Sequence, residues 1–260
     1  MREPEKDRVC VLGEFGGLGM PIMGHTWQQE KNWGYVSYDN KEKLTDAYVA
    51  LLTAMRSLIG RGLSAAVYTQ TTDVEIEVNG LMTYDREIVK MDAARIKAAA
   101  EKLYSPPPEI AVVVPSSEKS AQTWHYTTTK PDTSWFEPGY NDAGWKSGPG
   151  GFGSDGSKDA VVRSEWKSPD IWLRRNFELK SPPKDGQLAL TVHHDDDAEV
   201  YLNGTLLKAM KRHTNNYQLV LLDDTARRLL KSGSNTLAVH CHYTNGSQYI
   251  DAGLVKIVER

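Results

Sequence analysis

Apolar positions along this chain follow two different periods, and the change falls near Ser120. Before it, short apolar runs alternate with longer amphipathic stretches. VCVL at 9–12 predicts a strand, followed by a glycine-rich loop. Leu44, Tyr48, Leu51, Met55 and Leu58 then recur at steps of three or four, which puts them on one helical face. Asp39 or Asn40 stands as the cap of that helix, and Gly60 and Gly62 stop it. GLSAAVYTQ predicts a second strand, and Asp92 caps a second helix, AARIKAAAEKLY, which Pro106, Pro107 and Pro108 end. Strand, helix, strand, helix is the grammar of an α/β domain. SPPPEIAVVVPSSEKS reads as a proline-rich linker over residues 105–120, although IAVVV inside it is able to pair as a strand.

Beyond the linker the period is two. Leu188, Leu190 and Val192 alternate with Ala189, Thr191 and His193, and Leu237, Val239 and Cys241 alternate with Ala238, His240 and His242. Asn203-Gly204 and Asn245-Gly246 are turn dipeptides between short strands, so residues 121–260 predict an antiparallel sandwich or jelly roll. DDTARRLLKSG adds one helical turn between two of those strands, and no internal repeat of fixed period is visible.

Composition narrows the partners. A chain of 260 residues suits two ordinary domains. Its net charge of -3 and its 31 Lys and Arg spread along the sequence give no basic stripe for phosphate, so nucleic acid is not expected. MREPEKDR is charged and followed by only four apolar residues, too few for a signal-peptide core or a membrane span. No membrane partner follows, and the compartment stays open. Cys10 and Cys241 lie in strand-like runs and read as small buried hydrophobes, neither paired nor metal-bound. Gly148, Gly150 and Gly153 spell G-x-G-x-x-G, but Pro149 interrupts and no helix follows, so they read as a loop.

Two strand–helix units cannot close a parallel sheet, so the first part reads as a piece of something larger. Functional residues in parallel α/β structures sit where strands end, and Glu14 sits there, flanked by glycines. A carboxylate in that place serves as nucleophile, base or ligand, or simply as a surface-turn acid. His25, Trp27 and Trp33 from the following loop, with Tyr68 and Gln70 from the next strand, offer the aromatic faces and polar groups that suit a sugar. Asp73, Glu75 and Glu77 read as exposed loop acids. His193, His194, Asp195, Asp196 and Asp197, with His240 and His242, pose a metal question that Asp-rich turn chemistry also answers, and no metal site is assigned. Trp124, Trp135, Trp145, Trp166 and Trp172 read as packing rather than sugar stacking.

LGEFGG, then GHTWQQEKNWGY, then GLSAAVYTQTTDVEIEVNGLMTYDR resemble, in order, three segments of family 2 glycoside hydrolases, the β-galactosidase, β-glucuronidase and β-mannosidase group. Those segments are the nucleophile segment ending the seventh barrel strand, the loop after it, and the eighth strand. The resemblance implies that residues 1–104 are the C-terminal fragment of a TIM-barrel domain and that Glu14 is the nucleophile. It implies a carbohydrate substrate and no organic cofactor. The family's acid/base is the glutamate of an Asn-Glu pair, and this sequence contains no such pair. TSWFEPGYNDAGWKSGPGGFG, WLRRNFEL and HHDDDAEVYLNG resemble the galactose-binding-like jelly roll that accompanies many such enzymes. The expectation is therefore a partial (β/α)8 barrel, its last two βα units, followed by an all-β jelly-roll sandwich. It carries a nucleophile without its acid/base, with the N-terminal part of the barrel as a partner and a periplasmic or secreted parent in keeping. The alternative is a non-catalytic carbohydrate-binding or scaffold protein with a vestigial barrel segment.

Overall fold

The computed structural model describes residues 7–154 and 160–260; the charged residues 1–6 at the start of MREPEKDR lie outside them. The chain divides into two units, one ending at Pro108 and the other spanning Glu109–Glu259.

In the first unit β1 (Cys10–Phe15), β2 (Leu18–Gly19) and β3 (Val36–Ser37) precede α1 (Lys41–Ile59), β4 (Leu63–Tyr68) and α2 (Ala93–Glu101). β1 and β4 pair in parallel with α1 as the crossover, which makes a βαβ unit. Asn40 caps α1 by accepting from the Lys43 N–H at 2.9 Å, and Asp92 caps α2 by accepting from the Arg95 N–H at 3.0 Å. Gly62, at φ 101, turns the chain out of α1. The buried stripe of α1 runs through Leu44, Tyr48, Leu52 and Met55; Leu51 and Leu58 are only half buried. Leu18, Met20, Leu63 and Met91 complete this core, with Leu12, Phe15, Ala66 and Tyr68 packed against it. The opposite face of the strand pair has no covering layer among the described residues. Val11, Gly13, Ala65 and Val67 are all exposed there.

The second unit begins earlier than the sequence suggests. Glu109–Val114 is a strand, β5, so it is no part of a linker, and the Ser117 N–H donates to Asp251 at 2.6 Å. Prolines on either side of IAVVV mark a linker by composition, but they lie outside the ladder and cost it no hydrogen bond. There follow β6 (Thr123–Thr127), β7 (Lys146–Pro149), β8 (Phe152–Gly153), β9 (Ser164–Glu165), β10 (Asp170–Leu179), β11 (Gln187–Asp195) and β12 (Asp197–Leu202). β13 (Thr205–Met210), β14 (Gln218–Leu221), α3 (Asp224–Leu229), β15 (Gly233–His242) and β16 (Tyr249–Val258) complete it. One sheet runs β13-β12-β15-β10-β6-β7; the other runs β14-β11-β16-β8-β9, with β5 also on β16. Ile171, Leu173, Val200 and Val239 from the first sheet share one core with Leu190, Val192, Ile250 and Leu254 from the second, so the unit is a β-sandwich.

Asn203 (φ 49) and Gly204 (φ 86) make the turn between β12 and β13, both in the left-handed region that such a hairpin requires. The Asn203 side chain also reaches Asn235 at 2.9 Å and the Leu229 carbonyl at 2.8 Å, tying that turn to the end of α3. On β11 the second face is not solvated, because Ala189, Thr191 and His193 are buried as well. Gly148 and Gly153 belong to β7 and β8, so the glycine motif is a strand–turn–strand and not a loop. Trp124 and Trp166 lie in the main core, while Trp135 and Trp172 form a second cluster with Phe136, Tyr140, Trp145 and Tyr201 on the outer face of β10 and β12. Arg174, fully buried, pins that cluster: it donates to Asp142 at 2.9 Å, to the Glu137 carbonyl at 3.0 Å and to the Trp135 carbonyl. Neither cysteine is in a disulfide. Among the described residues no helix is long and apolar enough to cross a membrane.

Candidate functional site

Glu14 is the fifth of the six residues of β1, and its side chain is exposed at the C-terminal end of a parallel strand. The strand runs to Phe15, so Glu14 lies within the ladder's span rather than in the loop beyond it. Gly16 (φ 115) and Gly17 (φ 72) follow in conformations that disfavour a side chain. Space forbids one too. A Cβ on Gly16 would sit 2.3 Å from the Tyr68 ring, and one on Gly17 would sit 2.6 Å from the Tyr35 ring. The glycine pair therefore lets two aromatic rings close on the backbone beside Glu14.

From Tyr68 a chain of contacts runs round this end of the unit. Phe15 stands opposite Tyr68 in the ladder, and their rings meet edge to face at 5.4 Å. The Tyr68 hydroxyl donates to the Asn79 carbonyl at 3.2 Å, and burial pushes its pKa up. The Asn79 amide donates to the Glu77 carboxylate at 2.8 Å, and the Gln70 amide donates to the Glu77 carbonyl at 3.3 Å. Trp33 bridges to Glu77 through the backbone, and its ring meets Tyr35 at 5.2 Å. The Thr69 hydroxyl links the two ends of the pair, donating to the Phe15 carbonyl at 2.8 Å and accepting from the Gly17 N–H at 3.0 Å.

Of the residues singled out in the sequence, Trp33, Tyr68 and Gln70 are thus joined through the segment 77–79. His25 and Trp27 are tied elsewhere, to the turn at 83–87. His25 pairs with Asp85 at 2.6 Å and lies 3.9 Å from Glu87, and the Trp27 ring meets Tyr84 at 5.0 Å. The Thr83 hydroxyl, with the Glu87 N–H and His25, holds Asp85 down at a pKa of about 2. Among the described residues nothing hydrogen-bonds or ion-pairs with the Glu14 carboxylate.

One acid expected in solvent is not there. Asp73 is buried and receives the Lys90 ammonium at 2.6 Å; Lys90 also donates to the Val78 carbonyl at 2.9 Å and the Met20 carbonyl at 3.2 Å. Burial raises the Asp73 pKa and lowers that of Lys90, each partly offset by the other's charge. This pair fastens the loop after β2 to the segment that carries Glu77 and Asn79. Tyr35, Glu77, Asn79 and Lys90 were missed as site residues. The alternation in DVEIEVNG was the available signal for the segment, whereas no local pattern marks Lys90.

In the second unit the histidine and aspartate run divides. His194 is buried, donates through Nδ1 to the Asp196 carbonyl at 2.5 Å, and its pKa is lowered by burial. Asp195, Asp196 and His213 line a concavity of about 220 Å³ with Ser247, Asn245 and Tyr249. Asp196 is spent on the chain, accepting from the Thr244 hydroxyl and, at 2.7 Å, from the Thr244 N–H. Asp197 faces the outer side of its sheet, alongside His242.

No family model matches this sequence and no curated protein matches it. Among solved structures, a β-glycosidase from Bacteroides vulgatus is 17% identical over 56% of this chain and 20% of its own, with a TM-score of 0.35. A glycosyl hydrolase family 2 member from Bacteroides cellulosilyticus DSM 14838 is 14% identical over 55% of this chain and 20% of its own, with a TM-score of 0.40. Bacteroides uniformis β-glucuronidase 2 is 18% identical over 57% and 18%, with a TM-score of 0.40. The chain spans about a fifth of the length of these three structures. Likeness of this degree carries no argument about the chemistry of this chain.

Proposed function

We propose that this chain is the C-terminal portion of a retaining glycoside hydrolase, that Glu14 is its nucleophile, and that the acid/base carboxyl comes from further strand–helix units. The observation that carries the reading is an exposed carboxylate at the C-terminal end of a parallel strand, beside glycines that admit aromatic rings. The LGEFGG resemblance supports it. In the reaction the Glu14 carboxylate attacks the anomeric carbon while the second carboxyl protonates the departing oxygen, giving a glycosyl-enzyme. Water activated by that second group then releases the sugar and restores Glu14. The two carboxyl groups of such a pair stand about 5 Å apart, and Asp73, the nearest in sequence of the acids after β4, is held by Lys90 instead. Tyr68, Trp33 and Gln70 would line the sugar side of the site, with His25 and Trp27 at its margin. The second unit is read as an accessory jelly roll.

The test is Glu14→Gln in the longest natural form of the protein, assayed on aryl glycosides. Turnover should fall by at least about 10³-fold with the melting temperature unchanged. Azide should restore activity to Glu14→Ala, giving a glycosyl azide of inverted configuration, because a small anion then occupies the nucleophile's place. Undiminished turnover in Glu14→Gln refutes the assignment. A second reading, a non-catalytic carbohydrate-binding protein, is favoured because among the described residues no side chain hydrogen-bonds or ion-pairs with the Glu14 carboxylate. Glycan binding without turnover in every natural form would select it.

A further inference from the structure

The two histidines at the end of β15 lie on the outer face of the sandwich, in the middle of a small grid. Directly across the ladders, His242 faces Asp170 on one side and Asp197 on the other; one step along, His240 faces Trp172 and Glu199. The residues between them, Ile171, Ala198 and Cys241, point into the core and are almost wholly buried, so the grid stands on a rigid base. Both imidazoles converge on a single oxygen. His240 Nε2 is 2.8 Å and His242 Nδ1 is 2.9 Å from Asp170 Oδ1. The far nitrogen of His240, Nδ1, lies 3.8 Å from Glu199, whose carboxylate accepts from the Tyr201 hydroxyl at 2.9 Å. The His240 ring lies parallel on Trp172, with centroids 4.8 Å apart and planes 11° apart, which fixes its plane. Three carboxylates thus surround two imidazoles, and among the described residues the one lysine paired in the grid, Lys211, is on Asp197.

We infer that His240, His242 and Asp170 form a binding site for a divalent transition-metal ion of the zinc class, with Glu199 as the carboxylate that orients His240. Two imidazole nitrogens and one carboxylate oxygen are the ligand set of zinc-class ions rather than of calcium or magnesium, which take oxygen. The exchange balances. Each ring proton now donated to Asp170 moves to the other nitrogen of the same ring, and both imidazoles bind as neutral ligands. For His240 that other nitrogen is Nδ1, which then donates to Glu199, the carboxylate–histidine–metal arrangement that holds a ligand in orientation. Metal bonds of about 2.0–2.2 Å replace hydrogen bonds. The two ring nitrogens now stand on either side of Asp170 Oδ1, further from each other than the ligands of a formed site, and swing together as the metal enters; that movement falls on His242 and Asp170, whose side chains are 46% and 30% exposed. Water fills the remaining positions on the solvent side.

The experiment titrates the chelator-treated full chain with ZnCl2 by calorimetry and, separately, with Co²⁺ followed by visible absorption. Two other clusters, His25–Asp85–Glu87 and Asp195–Asp196–His213, already hold their ligand atoms within 4.8 Å of one another but offer one imidazole and two carboxylates each, and they are the competing sites that the experiment separates. The expected result is one equivalent of Zn²⁺ bound at micromolar or lower Kd, with Co²⁺ giving strong visible bands. His242→Ala and His240→Ala should each weaken binding by at least tenfold, and Glu199→Gln by roughly 10-fold or more. Asp85→Asn and Asp195→Asn should leave it unchanged. His242→Gln, at a half-exposed position, gives a folded comparison if either alanine variant loses its circular dichroism. No binding in the micromolar range overturns the inference. So does binding that survives His242→Gln, or that is lost in Asp85→Asn or Asp195→Asn.

Discussion

Asp251, on β16, is the buried acid with the clearest consequence. Its Oδ2 accepts from the Ser117 N–H and from the Tyr217 hydroxyl, each at 2.6 Å. Those bonds stabilise the ionised form, but burial outweighs them and the carboxyl stays above its ordinary pKa. The folded state therefore prefers the proton more than the unfolded chain does. The stability this contributes is complete below the unfolded pKa of about 3.9 and is lost as pH rises through the raised folded value. Asp251→Asn keeps an oxygen for both donors and does not ionise. Wild-type stability measured by urea unfolding should thus fall relative to Asp251→Asn as pH rises above about 4, where ionisation begins in the unfolded chain. Parallel stability curves from pH 4 to 8 would contradict this. Legibility at this scale followed locality. The caps Asn40 and Asp92 were readable because cap chemistry spans three residues, whereas Asp73 was misread as a solvated acid because its partner Lys90 lies 17 residues away.

At the scale of elements, the βαβ unit is finished on one side only. Leu12, Phe15, Ala66 and Tyr68 pack toward α1, while Val11 and Val67 are 49% and 53% exposed on the opposite face, and among the described residues β1 and β4 pair only with each other. Parallel sheets are ordinarily covered on both faces, and uncovered edges offer backbone groups to other chains. The full chain should self-associate with rising concentration, and Val67→Lys should reduce that association in sedimentation velocity without lowering the melting temperature. If the variant associates as strongly as wild type, this face is not the contact. The strands and helices that make the unit were readable from period and caps. So was its incompleteness, since two strand–helix units cannot cover two faces. By composition β5 reads as part of a linker. Its prolines drew attention, whereas the ladder partner that makes EIAVVV a strand stands at residues 254–258, far beyond any local window.

For the molecule as a whole, the two units differ in how nearly each is complete. The sandwich has a core built entirely from residues 114–254, closed by strands of both sheets, and its Asn203–Asn235 knot and Arg174 anchor are internal to it. The first unit has a core from Leu18 to Met91 and a strand pair that, among the described residues, lacks a second covering layer. A two-stranded pair gains stability only from further strands or from helix packing, and here α1 supplies that on one face alone. Residues 109–260 expressed alone should therefore unfold in one cooperative transition and run as a monomer. Residues 1–108 alone should elute as higher oligomers or aggregate, because the hydrophobic effect has no internal means to cover Val11 and Val67. Gel filtration with chemical denaturation of both pieces decides it. A monomeric, cooperatively folding 1–108 would mean that the strand pair needs no further strands, and the proposal that Glu14 acts within a larger barrel would lose its structural ground. Aggregation of that piece, relieved by a co-expressed chain that supplies more strand–helix units, would instead show that the face is built to be covered, and Glu14-dependent turnover of the pair would then place the acid/base on that chain.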